Sequence, residues 1–303
     1  FIGRVGIYGV SIFFVLSGLT LYYIYAGDLF GWSHIGDFFY KRFFRIFPLF
    51  WLATLLTVFI NGYPGEKILA LNLTGVFGLV AWDKYIATGA WSIGNELVYY
   101  MLFPLLIFFT RKRFAFYLLS AIFLAIYVYF AFSVLTKKSG LADAWTDYVN
   151  PFNQAFLFVA GILIGHILKK VKINPVFCIG LILTGLVLFI LLPASGDLIN
   201  IVTGYNRLLF TACCILICIG FYKIQFPHFE PLELLGKGSY SVYLLHPLIY
   251  NGIGVHIKTE WIRFALCIVI TLIISSLVYK FVEKPFMRFS HRNRKWNLQT
   301  VPK

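Results

Sequence analysis

The chain has 303 residues, 60% of them hydrophobic and 13% charged, with a mean hydropathy of +0.83. A soluble domain carries about 25% charged residues and could not bury this much apolar surface within itself, so a soluble globular fold is excluded and the bilayer is the solvent. The net charge of +14 sits in short basic clusters between apolar runs, which orients membrane proteins and argues against a nucleic-acid-binding domain.

Nine apolar segments follow one another at 5–26, 46–62, 91–110, 114–135, 152–168, 174–193, 202–222, 237–257 and 261–282, each long enough to cross a membrane as a helix. Residues 68–82 are apolar but short, and read as a re-entrant or interfacial helix. The fold class is therefore all-α, a polytopic transmembrane helical bundle. One membrane domain covers 1–285, and a basic cytoplasmic tail covers 286–303. No internal repeat and no Ser/Gly/Pro-rich linker divides the membrane domain.

The basic residues test this order. If the loop after the first segment is cytoplasmic, eighteen of the 26 Lys and Arg lie inside, and they do so in alternate loops. The C-terminus is then cytoplasmic and Phe1 lies outside. A cytoplasmic N-terminus would need one more helix before Phe1, so the chain reads as nine spans of a ten-helix parent whose first helix is absent. The five cysteines, Cys178, Cys213, Cys214, Cys218 and Cys267, all fall in apolar runs without a C-x-x-C pair. They read as small buried residues, and no metal site is expected.

Four strings carry residues that are costly in a membrane. In Lys41-Arg42-Phe43-Phe44-Arg45-Ile46-Phe47-Pro48, the two arginines are three apart and share a face where a helix is expected to begin. Pro48 fits a first turn and not a helix interior. Two readings stand for the arginines: an anchor against anionic lipid, or a bidentate clamp for phosphates.

In Trp91-Ser92-Ile93-Gly94-Asn95-Glu96-Leu97-Val98-Tyr99-Tyr100, an ionisable residue lies about one turn inside a span. Ser92, Asn95, Glu96 and Tyr99 fall at i, i+3, i+4 and i+7, which makes a polar stripe on one helix face. Capping and structural pairing compete there with an active-site role.

In Gly238-Ser239-Tyr240-Ser241-Val242-Tyr243-Leu244-Leu245-His246-Pro247, a histidine beside a proline deep in a helix can meet freed backbone carbonyls. A packing histidine bonded between helices is the competing reading. In Phe281-Val282-Glu283-Lys284-Pro285, Glu283 closes the last span and reads as a structural partner for a nearby Lys or Arg. His34, His166, His228, His256 and His291 lie near helix ends or in loops, as do Asp28, Asp37, Asp143, Asp147 and Asp197, and no function is assigned to them.

Together with the opening Gly9-Val10-Ser11-Ile12-Phe13-Phe14-Val15-Leu16-Ser17-Gly18, these strings resemble the acyltransferase-3 family of membrane O-acyltransferases. The resemblance runs over residues 6–285 in the family's order. It implies ten transmembrane helices, residence in a bacterial inner membrane, and transfer of an acyl group, typically acetyl, from acyl-CoA. The acceptor it implies is a hydroxyl of a cell-surface polysaccharide such as O-antigen, capsule, exopolysaccharide or peptidoglycan, or of a lipid-linked precursor. A second acyltransferase outside the membrane is a possible partner.

The family's catalytic histidine lies in the first helix, which this sequence lacks. The resemblance assigns Arg42, Arg45 and Lys41 to the phosphates of CoA, and Glu96, Ser92, Tyr99 and His246 to catalysis. Trp91, Tyr240 and Ser241 are assigned to the substrate. A transporter or flippase for a lipid-linked sugar is the alternative. It would account for the spans and for Glu96 and His246, but it predicts repeats or paired broken helices that the sequence does not show.

Overall fold

The computed structural model describes residues 2–27, 32–224, 228–257 and 259–290. In chain order the helices are α1 (Ile2–Tyr25), α2 (Trp32–Asn61), α3 (Glu66–Thr74), α4 (Phe77–Val80), α5 (Trp91–Thr110), α6 (Arg113–Tyr129), α7 (Trp145–Tyr148) and α8 (Pro151–Leu168). They continue with α9 (Pro175–Leu191), α10 (Ile199–Val202), α11 (Gly204–Lys223), α12 (Glu230–Lys237), α13 (Ser239–His256) and α14 (Glu260–Val278). There is no strand among the described residues, so the all-α fold class holds.

Seven helical stretches are long and apolar enough to cross a membrane. Two of the nine expected spans are helices outside that set. The first is α9, which is strongly apolar but has only 17 residues. The second is α13, whose Ser239, Ser241, His246, Asn251 and His256 dilute its apolar face. The short run at 68–82 forms parts of α3 and α4 rather than a span. Residues 291–303, most of the expected tail, lie outside the described residues, and helix runs as far as Ser290.

The chain folds as two units. The first comprises residues 1–30, 78–83 and 92–226, and contains α1 and nearly all of α5 to α11. Its centre is the contact of α1 with α8, where glycines let the backbones touch. A Cβ added at Gly18 would lie 2.0 Å from the Phe158 carbonyl oxygen, and one at Gly161 would lie 2.0 Å from that of Val15. Small residues bring membrane helices together in this way. Helices α9 and α11 repeat the device. A Cβ at Gly185 would stand 2.9 Å from the Cys213 carbonyl, and one at Gly220 would stand 2.8 Å from that of Cys178. All five cysteines are buried and none is in a disulfide.

The second unit comprises residues 31–77, 84–91 and 227–303. Its longest element, α2, corrects the expectation that a helix begins near Arg42. The helix starts at Trp32, so Arg42, Arg45 and Pro48 all lie in its interior. The apolar-run criterion missed the first half because residues 32–45 mix aromatic with charged side chains. Pro48 removes the bond to the Phe44 carbonyl. Rings of Phe43, Phe47 and Trp51 brace this stretch, with Phe43 stacked on Phe47 at 4.6 Å. Nearby, Asn72 donates to the carbonyls of Ile68 and Lys84 and accepts from the Ile86 N–H, which pins the 84–86 segment to α3. Helix α14 leads into a wider π-helical turn at Tyr279–Glu283. Such turns are often found at functional sites.

Candidate active site

The first unit holds Glu96. The expected stripe is inside: Ser92, Asn95, Glu96 and Tyr99 are all buried on α5. The helix starts at Trp91, so Ser92 lies within its first turn rather than ahead of it as a cap. The Glu96 carboxylate accepts from the Ser17 hydroxyl at 2.6 Å and from the Tyr100 hydroxyl one turn along its own helix. Asn95 donates to the Val149 carbonyl at 3.0 Å, and the Tyr99 hydroxyl donates to that of Pro151 at 2.8 Å. These two bonds fix the start of α5 against the start of α8. Gly78 meets the same turn so closely that a Cβ there would sit 2.4 Å from the Gly94 carbonyl oxygen. A buried carboxylate with hydroxyl donors is an acceptor built for O–H groups.

The second unit holds the remaining strings. Arg42 and Arg45 are half-buried on α2, as is Lys41, and the Arg42 guanidinium lies 6.0 Å from the Phe38 ring. Tyr240, buried at the start of α13, donates to the Ile46 carbonyl at 3.0 Å, close to Pro48. Ser241, fully buried beside it, donates to Glu283. Glu283 is 1% exposed and sits in the wide turn after α14. Its second oxygen has no hydrogen-bond partner among the described residues. The structure thus joins three of the four strings, those around Arg45, Ser241 and Glu283. Trp91 is buried at the head of α5.

His246 is exposed on α13. Its Nδ1 lies 2.8 Å from the Tyr243 carbonyl and 3.2 Å from that of Val242. Tyr243 stands four residues before Pro247, whose missing N–H leaves that carbonyl unbonded. The expectation that this histidine meets a freed carbonyl is therefore met. Both partners are acceptors, so Nδ1 carries a proton and Nε2 is the lone-pair nitrogen of the neutral ring.

Sequence reasoning gave no role to Ser17 and only a structural one to Glu283. A hydroxyl in the apolar Leu16-Ser17-Gly18 run was the available signal for the first. The depth of Glu283 follows from the wide turn and from Ser241, which is 42 residues distant in sequence.

A family model described as an acyltransferase domain matches residues 1–280. The chain is 25% identical over 317 residues to the exopolysaccharide production protein ExoZ of Rhizobium meliloti (strain 1021), covering 96% of this chain and 92% of that protein. It is also 25% identical over 328 residues to the O-acetyltransferase OatA of Staphylococcus aureus (strain NCTC 8325 / PS 47), covering 93% of this chain and 53% of that one. The chain therefore spans about half the length of OatA. No solved structure matches it.

Proposed function

Because the chain belongs to the acyltransferase-3 family, we propose that it moves an acetyl group from acetyl-CoA to a hydroxyl of a cell-surface polysaccharide or of its lipid-linked precursor. The names of its relatives, one an exopolysaccharide production protein and the other an O-acetyltransferase, support this choice of group and acceptor. The observation that carries the reading is Glu96: a carboxylate buried on a membrane-spanning helix that already takes two hydroxyl donors.

In this reading Arg42 and Arg45, with Lys41, grip the phosphates of CoA at the cytoplasmic face. Arginine forks suit phosphate oxygens, and the three residues lie within one turn of α2. Glu96, with Ser92, holds the acceptor hydroxyl or the base that deprotonates it, and Asn95 and Tyr99 keep the start of α5 in place. A base raises the nucleophilicity of the hydroxyl as it attacks the thioester carbonyl. The new C–O bond forms, the C–S bond breaks, and CoA leaves as the thiol after taking a proton. His246, with Nδ1 committed to a carbonyl, offers Nε2 to that proton traffic. Trp91 lines the acceptor path. Tyr240 and Ser241 act through Ile46 and Glu283, so they hold α13 against α2 and against the turn after α14. The protein sits in the inner membrane with its C-terminus in the cytoplasm.

Radiolabelled acetyl-CoA given to membranes carrying the protein, with a polysaccharide acceptor, tests the reading. Acetyl transfer that is lost in Arg45→Ala supports it. Movement of a lipid-linked sugar across the bilayer without consumption of acetyl-CoA would replace it with a transporter.

A further inference from the structure

At one end of the first unit, the chain between α8 and α9 and the end of α11 enclose a groove of about 760 Å³ beside Tyr23. Four lysines line it, Lys169, Lys170, Lys172 and Lys223, together with Tyr23 and Tyr222, and no carboxylate is among its lining residues within the described part of the chain. By the count of basic loops this end faces the cytoplasm.

Two of the lysines already have work within the fold. Lys223 donates to the Leu168 carbonyl, where α8 ends, and its ammonium lies 4.8 Å from the Tyr222 ring. Lys169 lies 5.6 Å from the Tyr23 ring and 6.0 Å from that of Tyr22. A cation held over an aromatic face, or bonded to the last carbonyl of a helix, is an ordinary local arrangement. Lys170 and Lys172 lie beyond the helix end and are exposed. Orienting a membrane protein requires only that lysines be in the loop. It does not require four of them on one concave wall, where like charges repel and a polyanion would relieve the repulsion.

The rim decides between a lipid and a soluble phosphate. Ile167, Val176, Phe177 and Phe221 flank the groove in sequence and are 50%, 75%, 60% and 49% exposed. These are apolar side chains at the ends of α8, α9 and α11, where acyl chains would lie. We propose that this groove binds the headgroup of an anionic phospholipid, with acyl chains on the flanking apolar side chains. Four ammoniums suit a lipid with two phosphates better than one with a single phosphate. Basic pockets between membrane helices recognise such headgroups. The inference stands apart from the acyl-transfer reading, since it uses none of the residues assigned there.

The test is lipid retention by the full chain in nanodiscs or mild detergent, followed by native mass spectrometry. Diphosphatidylglycerol, phosphatidylglycerol and phosphatidylcholine are compared. The expected order of retention is diphosphatidylglycerol, then phosphatidylglycerol, with phosphatidylcholine last. The Lys170→Gln/Lys172→Gln variant should weaken diphosphatidylglycerol binding by about 30-fold, at roughly fivefold per lysine near a charged surface. Lys170→Arg/Lys172→Arg should restore it. Arg111→Gln/Lys112→Gln, which removes the same charge from another loop, should change it little. Equal retention of phosphatidylcholine, or an equal loss in the Arg111/Lys112 variant, overturns the proposal. So does complete displacement by adenosine 3′,5′-bisphosphate at matched concentration, which would make the ligand a soluble phosphate.

Discussion

Glu96 and Glu283 are both buried carboxylates, and each accepts from a serine on another helix, yet their surroundings differ. Glu96 sits one turn into an α-helix and receives two hydroxyls, from Ser17 and Tyr100. Glu283 sits in a wide turn and receives one hydroxyl, from Ser241, while its second oxygen has no hydrogen-bond partner among the described residues. A carboxylate approached by hydroxyls is set up to handle another hydroxyl. One bonded to a buried serine of a neighbouring helix is set up to tie that helix down. In the proposed reading the first unit handles the acceptor hydroxyl, and the second, through the Tyr240–Ile46 and Ser241–Glu283 bonds, holds the stretch of α2 that carries Arg45.

The largest stability effect expected from this contrast is at Glu283. Glu283→Ala should lower unfolding stability by about 2 kcal/mol, because it leaves the buried Ser241 hydroxyl facing a cavity. Adding Ser241→Ala to that variant should cost little more. Thermal unfolding in detergent measures the cycle, and strictly additive losses would show that the two side chains do not act together. The next pair separates the two roles. Ser17→Ala and Ser241→Ala should each cost about 1 kcal/mol in stability as single lost hydrogen bonds. Ser17→Ala should also lower acetyl transfer at saturating acetyl-CoA. Ser241→Ala should instead raise the KM for acetyl-CoA, through the hold of α13 on α2. The same kinetic signature from both would erase the division between the units.

The smallest effect lies away from both carboxylates, at Asp197, where one oxygen accepts the backbone N–H of Ile199 at 2.7 Å and that of Leu141 at 2.8 Å. These bonds hold its carboxyl below the usual aspartate value. Its folded pKa is thus lower than its unfolded one, so the stabilisation is present above the unfolded value. It is lost only as pH falls through the folded value, below about 4. Hydrogen exchange at Leu141 should be unchanged between pH 5 and 8, after correction for intrinsic rates, and should accelerate in Asp197→Ala. A titration of that exchange near neutral pH would be evidence against this anchor.

The sequence was most readable where burial repeats with helical period. The apolar runs give the class of fold, and the four-residue stripe on α5 gives a buried face. It was least readable where a helix mixes aromatic and charged residues. The first half of α2 lacks a clean apolar run, so Pro48 looked like a first-turn residue when it lies inside a helix. Pairings across the chain were also hidden. Nothing local to Ser17 points to Glu96, 79 residues away, and nothing local to Glu283 announces a wide turn. The role of His246 was half legible. The neighbouring Pro247 predicts a freed carbonyl, but only the geometry shows that Nδ1 fills it.

The most direct test of the central claim is the rate of acetyl transfer in Glu96→Gln, measured alongside acetyl-CoA binding in the same membranes. The amide keeps an oxygen for Ser17 and Tyr100, so the fold should persist. Transfer to the polysaccharide should fall by about 10²-fold or more, the usual scale for losing a group that acts on a proton, while acetyl-CoA binds as before. Transfer at the unaltered rate would contradict the account, as would a loss that came only from weaker acetyl-CoA binding.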